Sequence, residues 1–101
     1  MKVSVIGTGY VGLVTGATLA DLGNQVVCLD ILEEKINMLN SGKSPIYEPG
    51  LDELIEQGLK SKNLVGSTEI EQNVRKSEMF FSQIYIGVVV IRGSHNKILL
   101  F

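Results

Sequence analysis

The sequence predicts an α/β fold, a doubly wound parallel sheet with helices on both faces. Two observations lead to this fold class. Short β-branched runs alternate with helical patterns from the first residues onward, and the connections between them are short. The first run, residues 3–6, is almost wholly apolar and stops at Gly7, which is typical of a central strand buried on both faces. The 101 residues are enough for one small domain.

The elements follow in order along the chain, and several carry a local signal. Gly23 and Asn24 supply a stop signal for the first helix, since both tolerate the left-handed conformation. Thr68 and Glu71 form a capping-box pattern, with Thr68 as the N-cap of the last helix. The predicted strands are residues 3–6, 25–29, 63–67 and a run from residue 79, and the predicted helices are residues 10–22, 33–40, 51–60 and 68–77.

The composition is that of an ordinary globular protein, with 45% hydrophobic residues, 20% charged residues and a net charge of −2. The scattered Lys and Arg residues do not form the basic surface that nucleic acid or a membrane anchor requires. The apolar run 84–91 is shorter than the ~20 residues that span a bilayer. The single cysteine, Cys28, fits a reducing compartment. We therefore expect a cytoplasmic protein without nucleic-acid or membrane partners.

A glycine fingerprint, G-x-G-x-x-G, is formed by Gly7, Gly9 and Gly12. A glycine triplet alone is a weak signal, but here three contextual demands are met together. The fingerprint follows an apolar strand, it opens a helix, and Asp30 ends the next strand 18 residues after Gly12. The sequence therefore predicts a dinucleotide site on the first mononucleotide-binding half of a Rossmann-like fold.

Each residue of the fingerprint has a physical role in this hypothesis. Gly7 permits the tight turn out of the strand, Gly9 lets a pyrophosphate approach the backbone, and Gly12 lets the helix pack closely on the sheet. Tyr10 and Val11 contribute backbone N–H groups at the positive end of the helix dipole. The alternative interpretation of the same glycines is a strand–helix turn without any ligand.

Asp30 is predicted to accept hydrogen bonds from the adenosine ribose hydroxyls. A carboxylate at this position repels a 2′-phosphate, so the expected cofactor is NAD and not NADP. Lys35 lies close enough in sequence to soften that repulsion slightly. In the alternative interpretation Asp30 only caps the following helix.

Two separated motifs resemble the UDP-glucose/GDP-mannose dehydrogenase family. Residues 2–16, Lys-Val-Ser-Val-Ile-Gly-Thr-Gly-Tyr-Val-Gly-Leu-Val-Thr-Gly, are similar to the family's opening, and residues 44–51, Ser-Pro-Ile-Tyr-Glu-Pro-Gly-Leu, to a second signature. The resemblance runs over about residues 1–81. Tyr47 and the pair Thr15 and Gly16 favour UDP-glucose over GDP-mannose.

The resemblance implies a four-electron oxidation of the C6 alcohol of a nucleotide sugar to a carboxylate, with two NAD molecules reduced. A cysteine of the family captures the intermediate aldehyde. Carried over residue by residue, Gly7, Tyr10 and Val11 contact the pyrophosphate, and Asp30 and Lys35 contact the adenosine side. The nucleotide-sugar partner and any oligomer are expected only of the full-length enzyme.

The departures from the family concern residues 82–101. The Val-Gly-Thr-Pro-like loop after the family's fourth strand has no counterpart, nor do its catalytic cysteine, lysine and substrate-binding residues. We therefore expect residues 1–81 to be an incomplete dinucleotide-binding domain and residues 82–101 a divergent tail, with residues 86–92 as a candidate extra strand. Truncation, frameshift and internal deletion each explain this pattern. The chain alone is expected to hold no catalytic residue and to catalyse no turnover.

Other functional interpretations remain open at this point. One is a non-catalytic nucleotide-binding module, and another is the same domain of a GDP-mannose dehydrogenase. A third is a remnant that aggregates, because the run 84–91 is uncharged and β-prone. Cys28 lies in an apolar strand and is expected to be structural, and His95 is expected to be a solvated loop residue. No metal-ligand spacing occurs in the sequence.

Overall fold

The computed structural model describes residues 1–44 and 47–82, together with the backbone of residues 88–91 and 97–100. Each of the eight predicted helices and strands is present, with ends that differ by two residues at most. The strands are β1 (Lys2–Ile6), β2 (Gln25–Leu29), β3 (Leu64–Ser67), β4 (Met79–Ser82), β5 (Val88–Ile91) and β6 (Lys97–Leu100), and the helices are α1 (Tyr10–Asp21), α2 (Glu33–Asn40), α3 (Leu51–Ser61) and α4 (Ile70–Lys76).

The six strands form one sheet in the order β3-β2-β1-β4-β5-β6. The first four are parallel, which confirms the predicted α/β, Rossmann-like fold. Strand β5 pairs antiparallel to β4, and β6 pairs antiparallel to β5. The five residues between β4 and β5 are too few for a parallel crossover, which needs a dozen or more, so the chain returns antiparallel.

The tail therefore contributes two strands to the sheet, whereas the sequence indicated one candidate. Strand β5 is paired on both of its sides, and β6 forms the edge of the sheet. Residues 84–87 of the apolar run lie outside the described residues. The proposed boundary at residue 81 stays a prediction.

One face of the sheet carries the hydrophobic core, against which α1 and α3 pack. The approach is close because Gly16 of α1 faces β2: a Cβ at this position would lie 2.7 Å from Cys28 Sγ. Gly58 of α3 has the same relation to Leu64, with a Cβ 2.7 Å from the leucine Cβ. The buried cluster consists of Val3, Val5, Leu13, Ala17, Ala20, Val26, Cys28, Leu39, Leu51, Ile55 and Leu64.

The opposite face of β1 is covered by α4 through polar contacts. None of the seven residues of α4, all of which are described, is buried. Ser77 Oγ donates a hydrogen bond to Asn73 O at 2.8 Å. Ser4, which is 0% exposed, hydrogen-bonds with Ser77 Oγ, and its own Oγ lies 3.2 Å from Asn73 O. Hydrogen bonds and partly buried side chains, with no fully buried apolar residue, therefore attach this helix to the sheet.

The predicted capping box of α4 is wrong. The helix begins at Ile70, and Thr68 lies outside it with an exposed side chain. Ser67 Oγ, one residue earlier, accepts a hydrogen bond from the Glu69 N–H at 3.0 Å. Glu71 instead pairs with Arg75 one turn later. The N-cap residue is Glu69, and no side chain caps the helix; the Ser67 hydroxyl instead closes a turn just before it.

Candidate dinucleotide site

The candidate site lies where the carboxyl ends of β1 and β2 meet. The chain turns sharply after Ile6, because Gly7 has a φ of 101°, a value that residues with side chains rarely adopt. The Gly7 N–H donates a hydrogen bond to Leu29 O at 2.7 Å and so continues the β1–β2 ladder by one residue. This amide is therefore used within the sheet.

The first turn of α1 follows directly. Gly9 is the N-cap in an extended conformation, and its carbonyl accepts a hydrogen bond from Leu13 N at 3.0 Å. The first amides of a helix have no acceptor within the helix, so those of Tyr10 and Val11 are directed out of its N-terminus. The side chains of these two residues are half exposed, while Gly12 is buried against the sheet.

The charge at the start of α1 differs from that of the other helices. Among the four helices that the structure describes, α2, α3 and α4 each have one or two acidic residues in the first turn, and α1 has none. An acidic side chain in the first turn partly neutralises the positive end of the helix dipole. No side chain of the first turn neutralises the α1 terminus in this way.

Asp30 lies next to the glycine turn, at the end of β2. Its Oδ2 accepts hydrogen bonds from the Thr8 N–H at 3.1 Å and from Thr8 Oγ1 at 2.7 Å. Its Oδ1 accepts one from the Leu32 N–H at 2.9 Å. An ionised carboxylate offers about four acceptor positions, so these three hydrogen bonds leave one position on Oδ1.

The pKa of Asp30 lies below its ordinary value. Burial is the largest influence and opposes ionisation, but the hydrogen bonds from Leu32 and Thr8 and the positive charge of Lys35 together outweigh it. The carboxylate is therefore anionic at neutral pH. Lys35, which is half-buried in α2, contributes to this balance as a nearby cation.

A largely apolar cleft of about 290 Å³ opens beside Asp30. Its walls combine the ends of β1 and β2 with the first residue of α4, and it exposes apolar side chains directly after the carboxylate. Ile31 is 79% exposed and Leu32 51%. The lining residues are Ile6, Gly7, Leu29, Asp30, Ile31, Leu32 and Ile70.

Reasoning from the sequence missed Thr8 and the apolar cleft. Thr8 occupies a variable position of the fingerprint, and only the folded chain shows its hydroxyl on Asp30. The exposed pair Ile31 and Leu32, which follows the acidic residue at the end of β2, was a sequence signal from which the cleft could have been predicted. Ile70 lies in the cleft because the positions of β3 and α4 bring it there, so no local sequence pattern identifies it.

The second motif lies partly outside the described residues, at Pro45 and Ile46. Glu48 acts through its backbone: its carbonyl accepts a hydrogen bond from Leu51 N at 3.1 Å, where α3 begins. Glu48 and Pro49 also line a cavity of about 210 Å³ together with Tyr10 at the start of α1. Tyr47 is 95% exposed. The loop thus both precedes α3 and borders the candidate site.

Among the described residues, the other chemically reactive side chains do not form a second site. Burial raises the pKa of the Cys28 thiol to about 12, so this cysteine stays protonated within the core. His95 lies outside the described residues. In the part of the chain that the structure describes, no group of three or more His, Cys, Asp or Glu side chains is placed to hold a metal ion. No helix in that part is long and apolar enough to cross a membrane.

A glycine turn after a central parallel strand, a helix start free of acidic residues and a carboxylate at the end of the next strand define a dinucleotide-binding domain of the Rossmann type. The model of the UDP-glucose/GDP-mannose dehydrogenase family, NAD binding domain, matches residues 1–88. The chain therefore belongs to this family of oxidoreductases, and its cofactor is NAD.

Individual relatives agree with this assignment. The chain is 48% identical over 87 residues to UDP-glucose 6-dehydrogenase TuaD of Bacillus subtilis, covering 86% of this chain and 18% of that protein. It is 46% identical over 87 residues to GDP-mannose 6-dehydrogenase of Azotobacter vinelandii, covering 86% of this chain and 20% of that one. A GDP-mannose dehydrogenase structure from Pseudomonas aeruginosa superposes with a TM-score of 0.80 at 35% identity, covering 99% of this chain and 22% of that one. The chain spans about a fifth of the length of these relatives.

Proposed function

We propose that this chain binds the adenosine and pyrophosphate half of NAD for a nucleotide-sugar dehydrogenase, with UDP-glucose as the substrate of the complete enzyme and UDP-glucuronate as its product. The reaction consumes two NAD molecules. The chain alone binds the cofactor without turnover.

One observation carries the proposal: the Asp30 carboxylate and the start of α1 lie on either side of a single glycine turn. The Thr8 N–H in that turn is 3.1 Å from Asp30 Oδ2. An acceptor for the ribose hydroxyls therefore lies next to a helix terminus that binds pyrophosphate. The ribose and the pyrophosphate are likewise neighbours in an adenine dinucleotide.

NAD supplies a hydride acceptor when it is bound, and the described residues hold its other half. The amides of Tyr10 and Val11 bind pyrophosphate oxygens, and the absence of a side chain on Gly9 allows the approach. Asp30 Oδ1 accepts one ribose hydroxyl, and the cleft beside Ile31 encloses the adenine. Lys35 moderates the negative charge of Asp30.

The binding step is tested by calorimetric titration of NAD into the chain. Replacing Asp30 by Ala removes a charged acceptor, so we expect the affinity to fall about tenfold. Asp21→Ala is the matched control, because Asp21 is an exposed carboxylate at the far end of α1. Wild-type protein that unfolds cooperatively but gives no heat with NAD would reject the proposal.

A second candidate, a non-catalytic nucleotide-binding module, is favoured for the isolated chain by the state of Cys28. A thiol with a pKa of about 12 that lies against Gly16 in the core has neither the thiolate nor the access that a nucleophile needs. Mixing the chain with NAD and UDP-glucose is expected to produce no absorbance of reduced cofactor. Turnover by the purified chain would exclude the module.

The choice of UDP-glucose rests on Tyr47 and on the pair Thr15 and Gly16. It is tested by replacing the corresponding first residues of TuaD and of the Azotobacter vinelandii enzyme with residues 1–81 of this chain. We expect reduction of NAD by the TuaD chimera supplied with UDP-glucose, and less by the other chimera supplied with GDP-mannose. The opposite order of the two activities would favour GDP-mannose as the substrate of the complete enzyme.

A further inference from the structure

Thr8 lies between the first two glycines of the fingerprint, and its side chain points into the protein. Only 1% of it is exposed. Its Oγ1 and its backbone N–H both donate to Asp30 Oδ2, at 2.7 Å and 3.1 Å. Two hydrogen bonds on a single carboxylate oxygen therefore join the glycine turn to the end of β2.

We propose that Thr8 is a positioning residue, which holds the Asp30 carboxylate so that Oδ1 faces the adenosine ribose and thereby sets the preference for NAD over its 2′-phosphorylated form. This inference rests on the function proposed above. It adds a residue that acts through Asp30 and does not need to touch the cofactor.

The geometry explains why a positioning residue matters here. The terminal torsion of an aspartate is broad, so a carboxylate without partners turns easily. Thr8 occupies Oδ2, and the Leu32 N–H occupies one position of Oδ1 at 2.9 Å. Only one acceptor position of about four is left, and it belongs to Oδ1. A fixed anion rejects a 2′-phosphate more strongly than one that is free to rotate away.

The charge of Asp30 depends on the same contact. Burial opposes its ionisation, and the hydrogen bonds from Leu32 and Thr8, with the charge of Lys35, hold its pKa below the ordinary value. Removing the Thr8 hydroxyl deletes one of these stabilising contacts. The pKa of Asp30 is therefore expected to rise, which a purely steric role of Thr8 would not cause.

The test compares four variants of the full chain. Thr8→Val replaces the hydroxyl by a methyl group of similar size, Thr8→Ala removes it with less bulk, and Thr8→Ser restores it. Thr18→Val is the control, because Thr18 is an exposed threonine of α1, away from the glycine turn. Each variant receives two measurements: the pKa of Asp30 from carboxyl NMR without nucleotide, and calorimetric Kd values for NAD and NADP.

We expect Thr8→Val and Thr8→Ala to raise the pKa of Asp30 and to weaken NAD binding about fivefold, with a smaller loss for NADP. Thr8→Ser and Thr18→Val are expected to stay near wild type. An unchanged pKa of Asp30 in both hydroxyl-deleted variants would overturn the inference, as would an unchanged ratio of the two Kd values.

The failure of the proposed function gives a different result. If the wild-type protein binds no NAD, the proposed function is overturned. The part of this inference that concerns cofactor preference is then overturned as well. The NMR titration still reports the bond between Thr8 and Asp30, because it needs no nucleotide.

Discussion

The two faces of the sheet are attached to their helices by different forces. On one face, α1 and α3 pack through an apolar cluster in which glycines allow backbone and side chain to approach closely. On the other face, α4 buries no residue and is attached through Ser4, Asn73 and Ser77. The first face depends on buried apolar volume, and the second depends on a few hydrogen bonds together with partly buried side chains.

This difference matters for the candidate site, which lies at the carboxyl ends of the strands, where the two faces of the sheet meet. The glycine turn leads into α1 and so belongs to the well-packed face. Ile70, at the other wall of the cleft, is the first residue of α4. The phosphate-binding side is therefore expected to be the rigid half of the site, and the adenine side the adaptable one.

The largest effect is expected for a deletion in the packed face. Ile55 of α3 is 0% exposed, so Ile55→Ala is expected to lower the free energy of unfolding by roughly 2–5 kcal/mol. Val65→Ala on β3, where the side chain is 51% exposed, is the matched control and should cost less than about 1 kcal/mol. Urea denaturation measures both. Equal losses would contradict the division into a packed and a weakly packed face.

A smaller effect is expected where the packed face is tightest. Gly16→Ala places a Cβ 2.7 Å from Cys28 Sγ, and overpacking of this kind costs roughly 1–3 kcal/mol, less the better helix propensity of alanine. Combining it with Cys28→Ala removes the clashing sulfur. The double variant should therefore lose less stability than the sum of the two single variants. Strict additivity in denaturation midpoints would show that the two positions do not press on each other.

Much of the fold was predictable because its signals are local. The apolar run of β1, the glycines that follow it and the stop at Gly23, which has a φ of 99°, each depend on neighbouring residues only. The end of β2 at Asp30 is equally local. These features were predicted closely, and they also place the two principal parts of the candidate site.

The remaining features depend on contacts between distant residues. The bond from Thr8 to Asp30 spans 22 positions and depends on how β1 and β2 align at their ends. The start of α4 was predicted wrongly because the capping-box pattern at Thr68 is not used: the helix begins two residues later, at Ile70, without a side-chain cap. The Ser67 hydroxyl at the end of β3 accepts the Glu69 N–H instead, a contact that depends on where the strand ends. The last two strands are antiparallel because the connections before them are too short for a crossover. The secondary-structure propensities of single segments do not include this constraint.

The smallest effect is expected on the hydrogen-bonded face. Ser77→Ala removes the donor to Asn73 O and the partner of the buried Ser4 hydroxyl, at a cost of about 1 kcal/mol in the free energy of unfolding. Thr68→Ala is the control, because its exposed side chain does not cap the helix, and it should be nearly neutral. Amide hydrogen exchange should report faster opening of α4 in Ser77→Ala while α1 keeps its protection. Uniform acceleration in both helices would mean that the hydrogen-bonded face is not a separate unit of stability.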